Sequence, residues 1–472
     1  MRGTDQWARL PGRLIMVGFG SIGQGVLPLL MRHLDLGAHP IRVITADDRG
    51  HAEAEQFAVN RLRCALSPQN YRMVLDGELG PGDFLLNLSV DVSSAALIEL
   101  CQARGALYLD TCTEPWRGGY RDASLTPAQR TNYALRERML TLKNRYRDGP
   151  TAVVTHGANP GLVSHLLKRA LLELARDERM DIMAPQTRTG WAALAAALGV
   201  KAIHIAERDT QVSRTPKRRG EFVNTWSIDG FVSEGCQPAE LGWGSHERHW
   251  PADAHRHASG SGCAIWLERP GAATRVRSWT PGEGAYHGFL ITHAEAISIA
   301  DYFTVYDNAS ARYRPTVHYA YHPCDAAVLS LHELAGKNWH PQPRRRLLMD
   351  DITGGTDELG VLLLGHRRNA YWYGSELSVD EARALAPYNN ATTLQVAAAV
   401  LSGVVWALEN PRRGVVEPDE MDFARNLEIC TPYLGTVCGV YSDWTPLQHR
   451  GELFSEAIDS ADPWQFNNIR VS

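Results

Sequence analysis

The chain has 472 residues, of which 44 % are apolar and 21 % charged. Those are the proportions of a globular protein with room for two or three domains, and they exclude a disordered chain. Forty-eight Lys and Arg against 53 Asp and Glu leave a net charge of −5, which gives no global attraction for nucleic acid or anionic membranes.

The eight cysteines, at 64, 101, 112, 236, 263, 324, 430 and 438, include no CxxC pair. Neither a disulfide framework nor a structural zinc site is expected, and a reducing, cytoplasmic setting fits best. The opening MRGTDQWARLPGR has no apolar run, so no secretory leader is expected. No run of eighteen apolar residues occurs, so no membrane span is expected.

The first readable unit is RLIMVGFGSIGQGVLPLLMRHL. Residues 13–17 predict a short apolar strand, a glycine turn follows, and 26–34 predict a helix that packs on a sheet. Further strands are expected at 41–45, 84–88, 107–109 and 152–155, with helices between them, including 94–103. Short apolar strands alternating with helices imply an α/β fold with a doubly wound parallel sheet covered on both faces.

The pattern changes near Asn159. A long amphipathic helix is expected at 161–175, introduced by Asn159-Pro160-Gly161. Residues 200–320 are richer in Trp, His, Thr and Ser. IHIAERDTQ, EFVNTWSI and CAIWLE read as strands of a mixed or antiparallel sheet. Residues 361–364 and 370–373 predict a hairpin, 391–408 a long helix with small residues on one face, and 419–427 a short helix.

Gly18-Phe19-Gly20-Ser21-Ile22-Gly23 follows a strand and opens a helix, the context that makes GxGxxG a dinucleotide signature. Gly18 permits the tight turn, Gly20 the approach of a pyrophosphate, and Gly23 close packing of helix on strand. The helix start at Ser21 and Ile22 offers free amides to phosphate. An acid after the second strand should bind the adenosine ribose: Asp47, with Asp48 as the alternative. An acid there favours NAD over NADP, with Arg49 close enough to weaken the preference. Asn87 and Ser89 after the strand at 84–88, and Thr111 after that at 107–109, fall at strand C-termini, where this fold places its ligand crevice. Asp91 and Glu114 approach the same crevice.

The segment THGANPGLVSHLLKRALLELA and the glycine motif resemble the bacterial homospermidine synthases along essentially the full chain. They resemble more distantly the saccharopine dehydrogenase-like and carboxynorspermidine synthase enzymes. The narrower likeness rests on Trp226 in EFVNTWSIDGFVSEG, Glu207 in HIAERD and His293 in LITHAEAIS. The resemblance implies an NAD-binding Rossmann domain at 1–158 and a second α/β domain at 159–385 for substrate and dimer contacts. It further implies a C-terminal helical region at 386–472 that returns to the first domain, and a homodimer. The implied reaction passes hydride from a terminal carbon of putrescine to NAD and leaves an imine. Ammonia departs, the amine of a second putrescine (or spermidine) takes its place, and hydride returns to give homospermidine.

A diamine pocket needs separated carboxylates and apolar or aromatic walls, because burying an ammonium group unpaired is expensive. Taken with the resemblance, Glu207 and Glu234 are expected to anchor ammonium groups. Asp91 and Glu114 are expected at the reacting end, and Asn159 is expected to orient an amine. Trp226 is expected to stabilise the iminium through its ring face, since a tryptophan attracts the cation without taking its proton. An ammonium group cannot donate hydride, so a base is required; His293 is the candidate, with Glu114 as an alternative partner.

Nothing in hydride transfer needs a metal. The histidines at 246, 249, 255 and 257 match no metal-site spacing, and Arg344-Arg345-Arg346 reads as a solvated face. An opine-type or carboxynorspermidine-type dehydrogenase is the rival within enzymes; it would need basic residues for an α-carboxylate. A nucleotide-sensing regulator is the rival of another class, and it has no use for Glu207, Trp226, Glu234 and His293 together.

Overall fold

Leu14–Val17, Phe84–Asn87 and Leu107–Asp110 are buried at every position, as continuous apolar runs must be when helices cover both faces of a parallel sheet. In the computed structural model, which describes residues 6–308 and 310–471, they form the centre of a seven-stranded sheet. The first five residues, part of the segment in which no leader is expected, lie outside the described residues. The strand order is Val415–Val416, Ala152–Val153, Leu107–Asp110, Phe84–Asn87, Leu14–Val17, Arg42–Thr45, Asn60–Arg63. Every pairing is parallel. The order reverses between Leu14–Val17 and Phe84–Asn87, the switch point of a doubly wound fold, where the crevice opens at the strand C-termini.

Two strands of this sheet were not expected from the sequence. Asn60–Arg63 reads NRLR and is partly exposed. Val415–Val416 is two residues long and comes from far along the chain. Both are edge strands, and edges are kept short or charged to discourage further pairing, which removes the apolar signal.

The chain divides into two units. The first comprises Met1–Leu162, Thr225–Gly230 and Val379–Leu434; the second comprises Val163–Asn224, Phe231–Ser378 and Gly435–Ser472. In the first unit the helix Ala391–Glu409 starts at a capping box, in which the Asn390 side chain accepts from Thr393 N at 2.8 Å and Thr393 Oγ1 accepts from Asn390 N at 2.9 Å. Its mean hydropathy of 1.7 is high enough for a membrane span, an exception to the sequence expectation, yet 89 % of its apolar window is buried inside the protein. Small residues allow this. A Cβ at Gly403 would stand 2.6 Å from Leu109 and 2.8 Å from the ring of His156, so the helix lies against the sheet at backbone distance. His156 is a packed residue, and burial pushes its pKa down to about 4.

The second unit is built on a ten-stranded mixed sheet. Ala202–Asp209 lies beside Thr316–His322 in parallel and beside Thr356–His366 antiparallel. Thr356–His366 and Asn369–Ser378 form the expected hairpin, longer at both ends. Alternation of side chains puts Glu207, Tyr319 and Tyr321 on one face. On the other, Ala206, Ala320, Leu362 and Trp372 share a core with Trp444, Trp464 and Phe466.

The segment beyond residue 434 is not helical as a whole. Thr436–Ser442 is a strand paired with Asn369–Ser378, and the expected helix at 419–427 is displaced to Phe423–Cys430 behind a short 3-10 turn at Pro418–Glu420. The histidine-rich loop clasps this tail. Glu247 accepts from Phe466 N at 2.9 Å, His246 Nε2 lies 3.2 Å from the Trp464 carbonyl, and His249 Nε2 lies 2.8 Å from Asp459 Oδ2. His255 stacks on Trp266 with ring centroids 4.3 Å apart. The arginine run is a strand, Arg344–Leu347, parallel to Glu221–Asn224, with Arg346 paired to Glu221 at 3.0 Å and Asp351 at 2.7 Å.

Candidate active site

The glycine turn sits at the switch point of the first unit. Gly18 has φ +90°, and a Cβ there would lie 2.7 Å from the carbonyl of Leu88, so backbone packs on backbone. At Gly23 a Cβ would meet the Gly18 carbonyl at 2.9 Å, whereas at Gly20 it would project into open space. Gly20 is also the N-cap of Ser21–His33, and no side chain caps that helix start. The amides at Ser21 and Ile22 therefore open onto a cradle that a pyrophosphate fits. Gly18→Ala is expected to weaken dinucleotide binding at least tenfold and to cost about 2 kcal/mol or more of stability. Calorimetric titration and thermal unfolding check both.

Beside the turn, Asn87 is buried. Its Oδ1 accepts from Ser89 Oγ at 2.6 Å, and its Nδ2 donates to Tyr108 Oη at 3.2 Å. Tyr108 donates on to Asp110 Oδ2 at 2.7 Å, and Asp110 Oδ1 accepts from Thr155 N at 2.6 Å. Burial raises the Asp110 carboxyl to about 6 against these bonds. This chain fixes the crevice wall, and the sequence reading missed Tyr108 and Asp110. Their signal was a tyrosine and an acid alternating inside the apolar run LYLD.

Asp91, in the left-handed region at φ +67°, donates its amide to Glu114 Oε2 at 3.4 Å, and its carboxylate lies 3.4 Å from Arg117 Nε. Glu114 is 5 % exposed. Thr111 backs the Asn159-Pro160-Gly161 turn, since a Cβ at Gly157 would stand 3.4 Å from Thr111 Cβ and the Gly157 amide donates to the Pro160 carbonyl at 2.6 Å. The Asn159–Pro160 peptide is cis.

Asp47 follows Arg42–Thr45 and is gripped by Arg49, with Nε at 2.9 Å and Nη2 at 2.7 Å from Oδ2. Asp48 is held by Arg61 and, at 2.6 Å, by Arg63. Trp226 also belongs to the first unit. It is half-buried, and the carbonyl of Thr225 before it accepts from Asn390 Nδ2 at 2.6 Å. The ring has Gly230 alongside, where a Cβ would be 3.5 Å from Cζ3.

The second unit gathers the remaining candidates. His293 Nε2 lies 3.0 Å from Glu234 Oε2, and Nδ1 lies 3.3 Å from Glu295 Oε1. Its ring is tilted against Tyr319, centroids 4.5 Å apart, and Tyr319 donates to Glu207 Oε2 at 2.6 Å. Tyr319 stacks on Tyr321 at 5.1 Å. Glu207, Glu234, Glu295 and His293 are all less than a tenth exposed. Burial opposes charge on the imidazole, but Glu295 and Glu234 outweigh it and raise the His293 pKa to about 10. The site therefore gathers three glutamates, one histidine and an aromatic stack.

Glu295, Tyr319 and Tyr321 were missed from the sequence. Glu295 stands two residues after His293 in THAEAIS and opens the helix Glu295–Tyr302, whereas the tyrosines alternate in HYAYH on the strand Thr316–His322, so only the tyrosines carry a strand-spacing signal.

Residues 14–153 match the family model described as the saccharopine dehydrogenase NADP binding domain, and residues 157–439 match that of the saccharopine dehydrogenase C-terminal domain. With the glycine cradle and the acidic cluster, they define a two-domain enzyme of the saccharopine dehydrogenase-like class. The homospermidine synthase of Blastochloris viridis is 55 % identical over 98 % of both chains. That of Mesorhizobium japonicum is 51 % identical, covering 98 % of this chain and 97 % of its own. A crystal structure of the homospermidine synthase from Legionella pneumophila in complex with NAD superposes with a TM-score of 0.93 at 50 % identity, covering 98 % of each chain. The chain belongs to the homospermidine synthase family.

Proposed function

We propose that this chain uses NAD to join two diamines, converting two putrescines into homospermidine and ammonia. The observation that carries the reading is the buried convergence of Glu207, Glu234 and Glu295 with His293 and Tyr319. Carboxylates this deeply buried are costly unless a cation offsets them, and a diamine supplies ammonium groups on an apolar stem suited to the Tyr319–Tyr321 stack. An opine-type substrate would bring an α-carboxylate into the same acidic ground and be repelled.

The cradle at Gly18, Gly20 and Gly23 and the wall at Asn87, Ser89 and Thr111 would hold NAD, with Asp47 on the adenosine ribose. NAD, when bound, accepts a hydride and gives it back, so the overall reaction has no net redox change. Glu207 and Glu234 would anchor ammonium groups, and Asn159 would orient the attacking amine. Asp91 and Glu114 would hold the reacting end and move protons. The substrate carbon that lost hydride carries an imine; the second amine adds there, ammonia leaves, and the new Schiff base is reduced. The Trp226 ring would stabilise the cationic iminium. Spermidine, with a primary amine of the same kind, would serve as an alternative acceptor.

The same reading makes the protein a homodimer, testable by light scattering. It also places it in the cytoplasm, in keeping with eight free thiols.

Incubation with putrescine and a trace of NAD is expected to yield homospermidine and ammonia in large excess over NAD, with no accumulation of NADH, as followed by mass spectrometry. Turnover only with a 2-oxo acid and stoichiometric NAD(P)H would reject the reading in favour of the opine-type dehydrogenases.

A further inference from the structure

Ala254–Arg256 and Ala264–Pro270 form a hairpin at one edge of the mixed sheet in the second unit. Beside it, Trp243, Arg256, His257, Gly262 and Arg314 line a cavity of about 80 Å³. None of these residues belongs to the acidic cluster around His293. Arg314 stands just before the strand Thr316–His322 and is 9 % exposed. Its Nε donates to Thr304 Oγ1 at 2.9 Å and its Nη1 to the Gly262 carbonyl at 3.1 Å. Its Nη2 has no acceptor among the described residues. A charged donor this deeply buried is costly unless it is matched.

The acids on the surrounding elements are engaged elsewhere. Glu240 lies 3.4 Å from His257. Glu247 accepts from Thr316 Oγ1 at 2.6 Å and from Phe466 N at 2.9 Å. Asp301 is paired with Arg188 at 2.7 Å, Asp253 with Arg470 at 2.7 Å, and Glu268 lies 3.4 Å from His255. Among the described residues neither Arg256 nor Arg314 forms an ion pair. Arg256 is exposed and rests on the Trp250 ring, 4.5 Å from its centroid. Setting Glu240 against the cations still leaves one guanidinium charge over, even with a neutral His257.

Two guanidinium groups around one cavity repel each other until an anion lies between them. Their forks match the oxygens of a phosphate or sulfate. By the space that one water takes, the cavity holds roughly five to eight non-hydrogen atoms, enough for such an ion and too few for a nucleotide. We propose that this cavity binds a small tetrahedral oxyanion, phosphate or sulfate, between Arg314 and Arg256. Arg314 is the fixed ligand, held by Thr304 and Gly262, and Arg256 closes over the ion from the exposed side. The ion joins the hairpin connection at Gly262 to the start of the strand Thr316–His322, and so stabilises the second unit.

The test is thermal unfolding and calorimetric titration of the full-length chain with sodium phosphate and, separately, sodium sulfate. NAD is kept saturating, so that the glycine cradle is occupied, and sodium chloride holds the ionic strength constant. Wild type is expected to bind one ion with a Kd of about 1 mM and to gain about two degrees in Tm at twenty times that concentration, saturably. Arg256→Gln is expected to weaken binding about tenfold, the size of one charge-assisted contact, with its Tm in chloride close to wild type. Arg314→Lys keeps the charge but loses the fork and should weaken binding by at least as much; where it fails to fold, Arg256→Gln decides. A wild-type Tm that rises no more with phosphate or sulfate than with chloride overturns the proposal. So does a saturable rise of wild-type size and midpoint in Arg256→Gln, which would put the ion elsewhere.

Discussion

Trp226→Ala is expected to lower homospermidine formation about thirtyfold or more, whereas Trp226→Phe retains part of the activity. The indole face attracts a cation by roughly 2 kcal/mol or more where water is excluded, and that is the size of the rate loss. Phenylalanine keeps a ring of weaker quadrupole. Trp226→Glu should lose most of the activity too, because a carboxylate would take the iminium proton and quench the electrophile. The segment is tied down through backbone, the Thr225 carbonyl to Asn390, so removing the indole leaves its anchor in place and dinucleotide binding should stay near wild type. The check is kcat and KM for putrescine beside a binding titration. Wild-type turnover in Trp226→Ala would sink the role, and loss of NAD binding in parallel with turnover would mark Trp226 as structural.

The central strands of the first unit were readable because parallel, doubly covered strands leave continuous apolar runs, as at LIMV and FLLN. The glycine turn was readable because Gly18 answers to a backbone requirement that no other residue meets cheaply. Polar or two-residue edge strands, Asn60–Arg63 and Val415–Val416, left no such trace. Nor did Thr436–Ser442, whose pairing partner lies sixty or more positions away in register, Glu376 opposite Thr436. The site was legible in a different manner. Glu207, Glu234 and His293 came through the family resemblance, while Glu295 and Tyr319 are defined by strand register and by a turn that only three-dimensional contact reveals. The sequence also gave no hint that His293 sits between two carboxylates, and that alters its chemistry.

Glu234 and Glu295 on either side raise the His293 pKa against the cost of burial, to about 10, which favours the imidazolium at neutral and mildly alkaline pH. A base acting near pH 8 is then expected among the carboxylates, and His293 instead supplies one buried positive charge that balances one of the three acids before a diamine arrives. Glu234→Gln is expected to lower the His293 pKa by about one to two units, the usual effect of removing one opposite charge at this distance. NMR titration of the ring should show it charged up to pH 9 in wild type, and any alkaline limb it sets in the kcat/KM profile should shift to lower pH in the variant by the same amount.

The linkage has a definite sign. A histidine whose folded pKa is raised above the unfolded 6.5 contributes stability that is fully present below pH 6.5 and is lost as pH rises through about 10. Thermal unfolding should therefore fall more steeply between pH 7 and 10 in wild type than in His293→Gln. A wild-type ring that titrates near pH 6.5 would overturn the charged assignment and restore His293 as the base. A ring that stays charged up to pH 9 places the first deprotonation of the substrate ammonium on Glu207, Glu234, Glu295 or the Asp91–Glu114 pair, which single carboxylate-to-amide variants then separate by their pH profiles.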